Sequence, residues 1–368
     1  MKINKSGAAL SKIVQTGVKL ARLERESGKE YLPLNRGVNA VVNIDIKETV
    51  ANLDFSSNEM LTYPPGKGIA KLRDAINQEY FLGKSNPDNI LITAGGMPAL
   101  DLIVQTVGMK KLFLPVYYWG CYFQMLTIRN IGNAEYHSQA ELFDRLDELK
   151  GNAVLICDPG NPLGEKYDDQ EQLQLIKMLS DNDVTVFFDS PYRKIFFDNN
   201  DTYYSELLKL DNVIITESFS KSVGLSGQRL GFIHTTNNEL RDELEIRLMF
   251  CTNGINAFAQ LLVHSLLTSD EGRKAANDFK TATARDIALN IQYLRNRGLL
   301  ADKFYENVAP KGIFTVVNRT EEQLLEHNIG SVSLTFFTKS QKEDAAQYAR
   351  ICVSQPHEKF VRFFDNVK

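Results

Sequence analysis

The 368-residue chain has little of what builds metal centres or disulfide frameworks. Its four cysteines, Cys121, Cys157, Cys251 and Cys352, are scattered, without the paired spacing of a zinc site. Each lies beside apolar or aromatic residues, so reduced, buried thiols are expected. The five histidines form no pair at helical spacing, and no metal site is expected. A basic excess is missing too. The 42 lysines and arginines face 46 acids, a net charge of -4, which argues against a nucleic-acid partner. No apolar stretch is long enough to span a bilayer, and Lys12 and Lys19 interrupt the run from Ala8 to Leu20. Neither a signal peptide nor a membrane partner is therefore expected, and the default compartment is the cytoplasm. Repeats and low-complexity tracts are absent. The remaining composition, 43% hydrophobic and 24% charged, is that of an ordinary globular protein long enough for two domains.

Hydrophobic periodicity organises the chain. Leu10, Ile13, Val14, Val18, Leu20 and Leu23 predict a helix over 8–25 that docks on the main body. Residues 30–37 read as a loop and 38–46 as a strand. A helix is expected at 69–80, a strand at 89–93, then a helix to 107. Further strands fall at 111–116, 153–157, 184–189 and 213–216, with a helix at 171–181. Helices at 240–250 and 257–267 flank a break, and 271–296 predicts a long helix linking two domains. Strands at 311–317, 331–338 and 349–354 suit a smaller domain, with a helix at 342–348. Strands alternating with helices argue an α/β fold. Its mostly parallel central sheet has helices on both faces, and a smaller α+β domain accompanies it. The expected segments are 1–60 (N-terminal helix and part of the small domain), 61–268 (large cofactor-binding domain) and 269–368 (interdomain helix and C-terminal small domain).

One stretch carries unusual chemistry. After the apolar run Val213-Ile214-Ile215-Thr216 comes Ser218-Phe219-Ser220-Lys221-Ser222-Val223-Gly224-Leu225, then Arg229-Leu230-Gly231. A lysine at a strand end, where α/β folds place their chemistry, can lose its proton and act as an amine nucleophile. Ser218 and Arg229 together offer an anion site. Read alone, a Ser-Lys pair such as this is more simply a surface lysine in a flexible turn.

The whole pattern resembles the lysine motif of fold-type I pyridoxal-phosphate enzymes, the aspartate aminotransferase superfamily. That motif runs Ser-x-x-Lys-x-x-Gly-Leu-x-x-x-Arg-x-Gly, and Ser218, Lys221, Gly224, Leu225, Arg229 and Gly231 match it. The resemblance implies that Lys221 carries pyridoxal 5'-phosphate as a Schiff base while Ser218 and Arg229 hold its phosphate. Other marks follow in the family's order. Tyr63-Pro64-Pro65-Gly66 is similar to a loop whose tyrosine reaches the cofactor phosphate of a second subunit. Its glycine spacing is not identical, and an exposed loop tyrosine is the alternative. Gly95-Gly96-Met97 before a helix resembles the phosphate cup, although the cup's usual hydroxyl side chains are missing. Trp119 with Tyr122, or else Tyr118, matches the aromatic that stacks on the pyridine ring; an aromatic core cluster is the plainer reading. Asn161 in Asn161-Pro162-Leu163-Gly164 matches the asparagine on the phenolic oxygen. Asp189 and Tyr192 match the Asp-x-x-Tyr pair, the acid on the ring nitrogen and the tyrosine on the phenolic oxygen. An acid closing an apolar strand is costly unless paired, and a protonated pyridine supplies the pair. Some branches place a glycine close to the substrate near residues 57–58, where this chain has Ser57 and Asn58.

The resemblance implies an aminotransferase acting on amino acids and 2-oxo acids, most simply a homodimer with shared sites. Arg350 falls where the family keeps the clamp on the substrate carboxylate, supported by Asn161. The plainer reading of Arg350 is an exposed cation at the end of the 342–348 helix. No second arginine is clearly placed for a side-chain carboxylate, and the aromatics hint at an apolar or aromatic substrate. Rival readings are a lyase, decarboxylase or biosynthetic cyclase on the same fold, or a non-catalytic sensor. A nucleotide site at Gly95-Gly96 ranks below these, because no full glycine fingerprint accompanies it.

Overall fold

Seven short segments pair into one sheet in the computed structural model, which describes residues 1–197 and 200–367. They are β1 (Ile90–Thr93), β2 (Lys111–Pro115), β3 (Gly132–Tyr136), β4 (Ala153–Cys157), β5 (Thr185–Asp189), β6 (Val213–Ser218) and β7 (Gly231–Thr235). The order across the sheet is β1-β7-β6-β5-β4-β2-β3, parallel throughout except for β7, which runs antiparallel to both neighbours. Every residue of β1, β6 and β7 is buried. Strands buried on both faces read as continuous apolar runs rather than alternations. The sequence reading missed β3. It is an edge strand, GNAEY, with a single fully buried residue, so no apolar run marks it.

The register sets up the chemistry. Asp189 ends β5 opposite Cys157 of β4 and Thr216 of β6, so its carboxylate stands among strand ends. A second sheet of three antiparallel strands comprises β8 (Phe314–Val317), β9 (Val332–Ser333) and β10 (Ala349–Cys352), in the order β8-β10-β9. Arg350 lies on its central strand, paired with Val316 on one side and Val332 on the other. The Asp270–Asn296 helix starts at Ser269, whose hydroxyl accepts from Gly272 N at 3.0 Å. Near its other end Asn290 Nδ2 donates to the carbonyls of Val353 and Gln355, both at 2.9 Å. That buried amide ties the long helix to the chain leaving β10.

Several expectations need correction. Residues 38–46 form no strand. Their polar groups go to single partners instead of a ladder: Asn39 Nδ2 donates to Lys221 O at 2.5 Å and Ala40 N to Ser354 O at 3.1 Å. Only Val332–Ser333 of 331–338 is strand. The Ser333 hydroxyl accepts from Thr335 N and starts a 3-10 turn, Leu334–Phe337. The helix expected at 342–348 stops at Ala345, and the N-terminal helix begins at Lys12, leaving Leu10 exposed. Cys251 is exposed rather than buried.

Candidate active site

A cavity of about 380 Å³ opens where β4, β5 and β6 end. Asp189, the last residue of β5, is buried at its floor. Tyr122 donates its hydroxyl to Asp189 Oδ2, and Thr216 Oγ1 donates to Oδ1 at 2.9 Å. Burial pushes the carboxyl up to about 6, while those two donors pull the other way. Such an acid is poised to gain a cationic partner. Lys221 lies in the short Phe219–Ser222 turn directly after β6. Burial lowers its ammonium to about 8, and Nζ donates to the carbonyl of Gly37. An amine held that low carries a larger neutral fraction near physiological pH than a free lysine does, and the neutral form is the nucleophile.

The anion end of the cavity is built from backbone and hydroxyls. Gly95 has φ 96 and begins the Gly96–Thr106 helix. A Cβ there would lie 2.7 Å from Arg229 Nη2, so glycine lets the guanidinium sit against the helix start. Ser218, Ser220, Gly96 and Met97 line the same end. Arg229 Nη1 donates to Ser226 O at 3.0 Å and to Ser220 Oγ at 3.4 Å. Helix-start amides, two hydroxyls and a guanidinium together suit a phosphate.

At the other end Arg350 is 1% exposed and has no carboxylate within ion-pair distance among the described residues. Nη1 donates to Asn161 Oδ1 at 3.2 Å, Nη2 donates to Asn35 O, and Nε has no partner. The guanidinium is flanked by Phe314 at 4.1 Å and Phe337 at 4.7 Å from the ring centres. Desolvation lowers it to about 10. An uncompensated buried cation is expensive, and an anionic ligand removes that cost. Asn161 also donates through Nδ2 to the Tyr192 hydroxyl at 3.4 Å.

Beneath these groups lies a buried ion cluster. Arg193, fully buried beside Tyr192, donates to Asp201 Oδ2 at 2.7 Å and to Asp169 Oδ2 at 2.8 Å. Lys166 bridges Asp169 at 2.6 Å and Asp158 at 3.1 Å. The cluster fastens the Asp158–Asn161 loop to the turn that carries Tyr192.

A lysine, an acid at strand-end depth, an anion cup and a buried arginine thus share one cavity. Residues 30–364 match the family described as aminotransferase class I and II. The chain belongs to that family. Enzymes of this family use pyridoxal phosphate. A probable aspartate aminotransferase of Methanocaldococcus jannaschii is 28% identical over 196 residues, 50% of this chain and 51% of that protein. The aspartate aminotransferase of Pyrococcus horikoshii is 22% identical over 267 residues, 69% of this chain and 67% of that protein. The chain thus spans between half and two thirds of the length of these curated relatives. A solved aspartate aminotransferase of Thermus thermophilus with maleate superimposes with a TM-score of 0.83 at 18% identity, covering 99% of this chain and 98% of the other. The fold is therefore that of the aspartate aminotransferases.

Within this aminotransferase-family site the structure gathers Gly96, Met97, Trp119, Asn161, Asp189, Tyr192, Ser218, Lys221, Arg229 and Arg350 around the cavity. It does not bring in Tyr118. That side chain is buried elsewhere, and its phenol is shifted upward by burial and by nearby Glu135. Trp119 lines the cavity, standing edge-on to Tyr122 at 5.4 Å. Tyr63 is 82% exposed and does not line this cavity. Arg350 is buried on β10, which removes the exposed helix-end reading. The glycine sought near Ser57 and Asn58 is absent there. Gly37, from the loop before the misread strand, stands in the cavity instead, packed so that a Cβ would lie 2.4 Å from the Phe314 ring. Sequence reasoning also missed Tyr122 as the donor to Asp189, and Arg36, Ser220 and Ile13 as cavity residues. Ser220 falls inside the lysine motif and was within reach; nothing near Arg36 or Ile13 signals the site.

Among the described residues, no group of acids, histidines and cysteines is arranged to hold a metal ion, and no helix is long and apolar enough to cross a membrane.

Proposed function

We propose that this chain is a pyridoxal-phosphate-dependent aminotransferase that moves an amino group between an amino acid and a 2-oxo acid. The observation that carries it is the buried Arg350, without an ion-pair partner among the described residues, in one cavity with Asp189 and a Lys221 whose ammonium is lowered by burial. The cofactor's needs match the donor set. Gly96, Met97, Ser218 and Arg229 suit the phosphate, and Gly95 leaves the guanidinium its room. Asp189 suits a protonated ring nitrogen, and Trp119 the ring face. Asn161 and Tyr192 suit the phenolic oxygen. When bound, the cofactor supplies an electron sink for the bond broken at the substrate's Cα. Lys221 Nζ would hold the cofactor and, once the substrate's amine has displaced it, would take the proton from Cα and deliver it to the cofactor side rather than back to Cα. Arg350 grips the α-carboxylate at two points and so fixes the Cα–H direction.

The reading includes a homodimer in the cytoplasm with the division 1–60, 61–268 and 269–368. Tyr63 and Phe250 are 82% and 83% exposed, and Leu61 and Met249 are exposed beside them. The Tyr63 loop packs on the end of the Asn238–Thr252 helix: a Cβ at Gly254 would lie 2.9 Å from Pro64 O. The four therefore form one apolar patch, and a second subunit covering it would receive Tyr63.

Borohydride reduction of the cofactor-loaded protein, followed by peptide mapping, tests the reading. The pyridoxyl group is expected on Lys221. Finding it elsewhere, or nowhere, removes the proposal. Transfer of the amino group to an added 2-oxo acid, rather than its release as ammonia or loss of carbon dioxide, separates transamination from a lyase or decarboxylase on the same fold.

A further inference from the structure

Behind the cavity, three buried side chains and one backbone carbonyl form a row of oxygens. Glu217 of β6, Tyr204 of the Tyr203–Leu207 helix, Ser190 just after β5 and the carbonyl of Asp158 stand in that order. The three side chains belong to residues at most 1% exposed. The Tyr204 hydroxyl touches Glu217 Oε1 and lies 2.8 Å from Ser190 Oγ, which lies 3.2 Å from Asp158 O. The second carboxyl oxygen, Glu217 Oε2, accepts from Ser218 N at 3.1 Å.

Counting protons fixes the direction of the row. It has three oxygen–oxygen contacts, and each needs one proton between its oxygens. The two hydroxyls supply two. The Asp158 carbonyl only accepts, so Ser190 donates to it and Tyr204 donates to Ser190. The third proton must then sit on Glu217. With Glu217 ionised the row runs backwards: Tyr204 donates to the carboxylate and Ser190 to Tyr204. The Asp158 carbonyl then loses this donor in a dry place, which is costly. The surroundings agree. Burial pushes the Glu217 carboxyl up to about 8, against the pull of Tyr204, the Ser218 amide and Lys194. The other titratable groups packed around the row are Asp189 on β5, Glu79 and Tyr80 on the Ala70–Phe81 helix, and Arg193 beside Tyr204.

We propose that Glu217 is a positioning residue that acts through its proton. Protonated, it orients Tyr204 and Ser190 and so ties the Asp158–Asn161 loop to the strand end that carries Asp189. Its second oxygen holds the amide of Ser218. Asn161, Asp189 and Ser218 line the cavity, whereas Glu217, Tyr204 and Ser190 do not. One proton outside the cavity thus aligns three parts of its wall. This tie is separate from the ion cluster around Arg193. The row depends on no functional reading; its consequence for the cofactor rests on the pyridoxal-phosphate reading.

Glu217→Gln separates the proton from the charge. Its amide nitrogen donates to Tyr204 and its oxygen accepts from Ser218 N, so the row survives without a titrating group. Glu217→Met and Tyr204→Phe break it. Hydrogen exchange of the full chain at pH 7, in peptides covering 158–165, reads the loop without cofactor. Exchange is expected to be about three- to tenfold faster in Glu217→Met and Tyr204→Phe, the worth of one hydrogen bond, and unchanged in Glu217→Gln. Infrared difference spectra between pH 7 and 9.5 read the proton. The parent should lose a protonated-carboxyl band that Glu217→Gln does not show. Identical difference spectra overturn the proposal, as does a loop in Glu217→Gln that exchanges faster than the parent's. A loop in Tyr204→Phe as slow as the parent's overturns it too, so the proposal stays exposed even if Glu217→Met fails to fold. Pyridoxine 5'-phosphate, an alcohol that forms no bond to Lys221, then probes the cavity through quenching of Trp119, the chain's one tryptophan. Tyr204→Phe should bind it about three- to tenfold more weakly than the parent, and Glu217→Gln as tightly. No binding by the parent would sink the cofactor reading, while exchange and infrared would still decide on Glu217.

Discussion

Burial acts in opposite senses on the two titrating groups at the centre of the site. It raises Asp189 from 3.8 to about 6 and lowers Lys221 from 10.5 to about 8, because a dry cavity disfavours each charged form. For Asp189 the consequence for stability has a definite sign. Its folded-state value lies above its ordinary one, so the protonated form is favoured on folding. The stability this contributes is complete below about pH 4 and is lost as pH rises through about 6. The shift of about two units corresponds to roughly 3 kcal/mol, an order-of-magnitude figure for a group this buried. Asp189→Asn, which cannot ionise, should therefore gain stability relative to the parent apoprotein between pH 4 and 7, then level off. Urea unfolding of both apoproteins at pH 4.5 and 7.5 measures this. A stability difference that does not change with pH would show that Asp189 is solvated.

Single elements carry the site's rigidity. The Asp158–Asn161 loop and the turn bearing Tyr192 are separate segments, and neither is regular structure at the residue that matters. They are held together from below by Arg193, which is sandwiched by the rings of Phe197 at 4.2 Å and Tyr203 at 4.1 Å. Arg193→Met would fill the space but take from Asp201 its guanidinium partner and leave Asp158 and Asp169 to Lys166 alone. Removing one partner of a buried pair costs about 3–5 kcal/mol. The variant should show that loss in urea unfolding at pH 7. The loss should shrink at low pH, where the stranded carboxylates take up protons. A variant as stable as the parent would mean the cluster is hydrated and slack.

At the scale of the molecule the exposed patch around Tyr63 is the feature a lone chain does not explain. Large apolar side chains at more than 80% exposure, grouped on one face, mark an interaction surface. Phe250→Glu would place a charge in that patch without touching the cavity of its own chain. The expected outcome is a shift from dimer to monomer in analytical ultracentrifugation. On the proposed homodimer a drop in cofactor affinity should accompany it, because the neighbouring site would lose Tyr63. A variant that stays dimeric with unchanged cofactor affinity would place the interface elsewhere.

The sequence by itself determined the architecture and picked out many of the residues that line the cavity. Core strands such as Val213–Ser218 are buried on both faces and so open on an unbroken apolar run, here Val213-Ile214-Ile215. The glycines and prolines that punctuate them force turns wherever they occur. Both are local constraints, visible in a window of a few residues. Edge strand β3 escaped notice because a strand covered on one side carries no such run. The tertiary structure decided the remainder. Trp119 lines the cavity and Tyr118 does not, and only the packing shows which of the two neighbouring rings faces it. Gly37 and Arg36 entered the cavity across more than 180 residues of separation from Lys221. Their loop has no local propensity to satisfy; its carbonyls answer Lys221 and Arg350. Those partnerships arise from long-range packing, and no spacing along the chain encodes them.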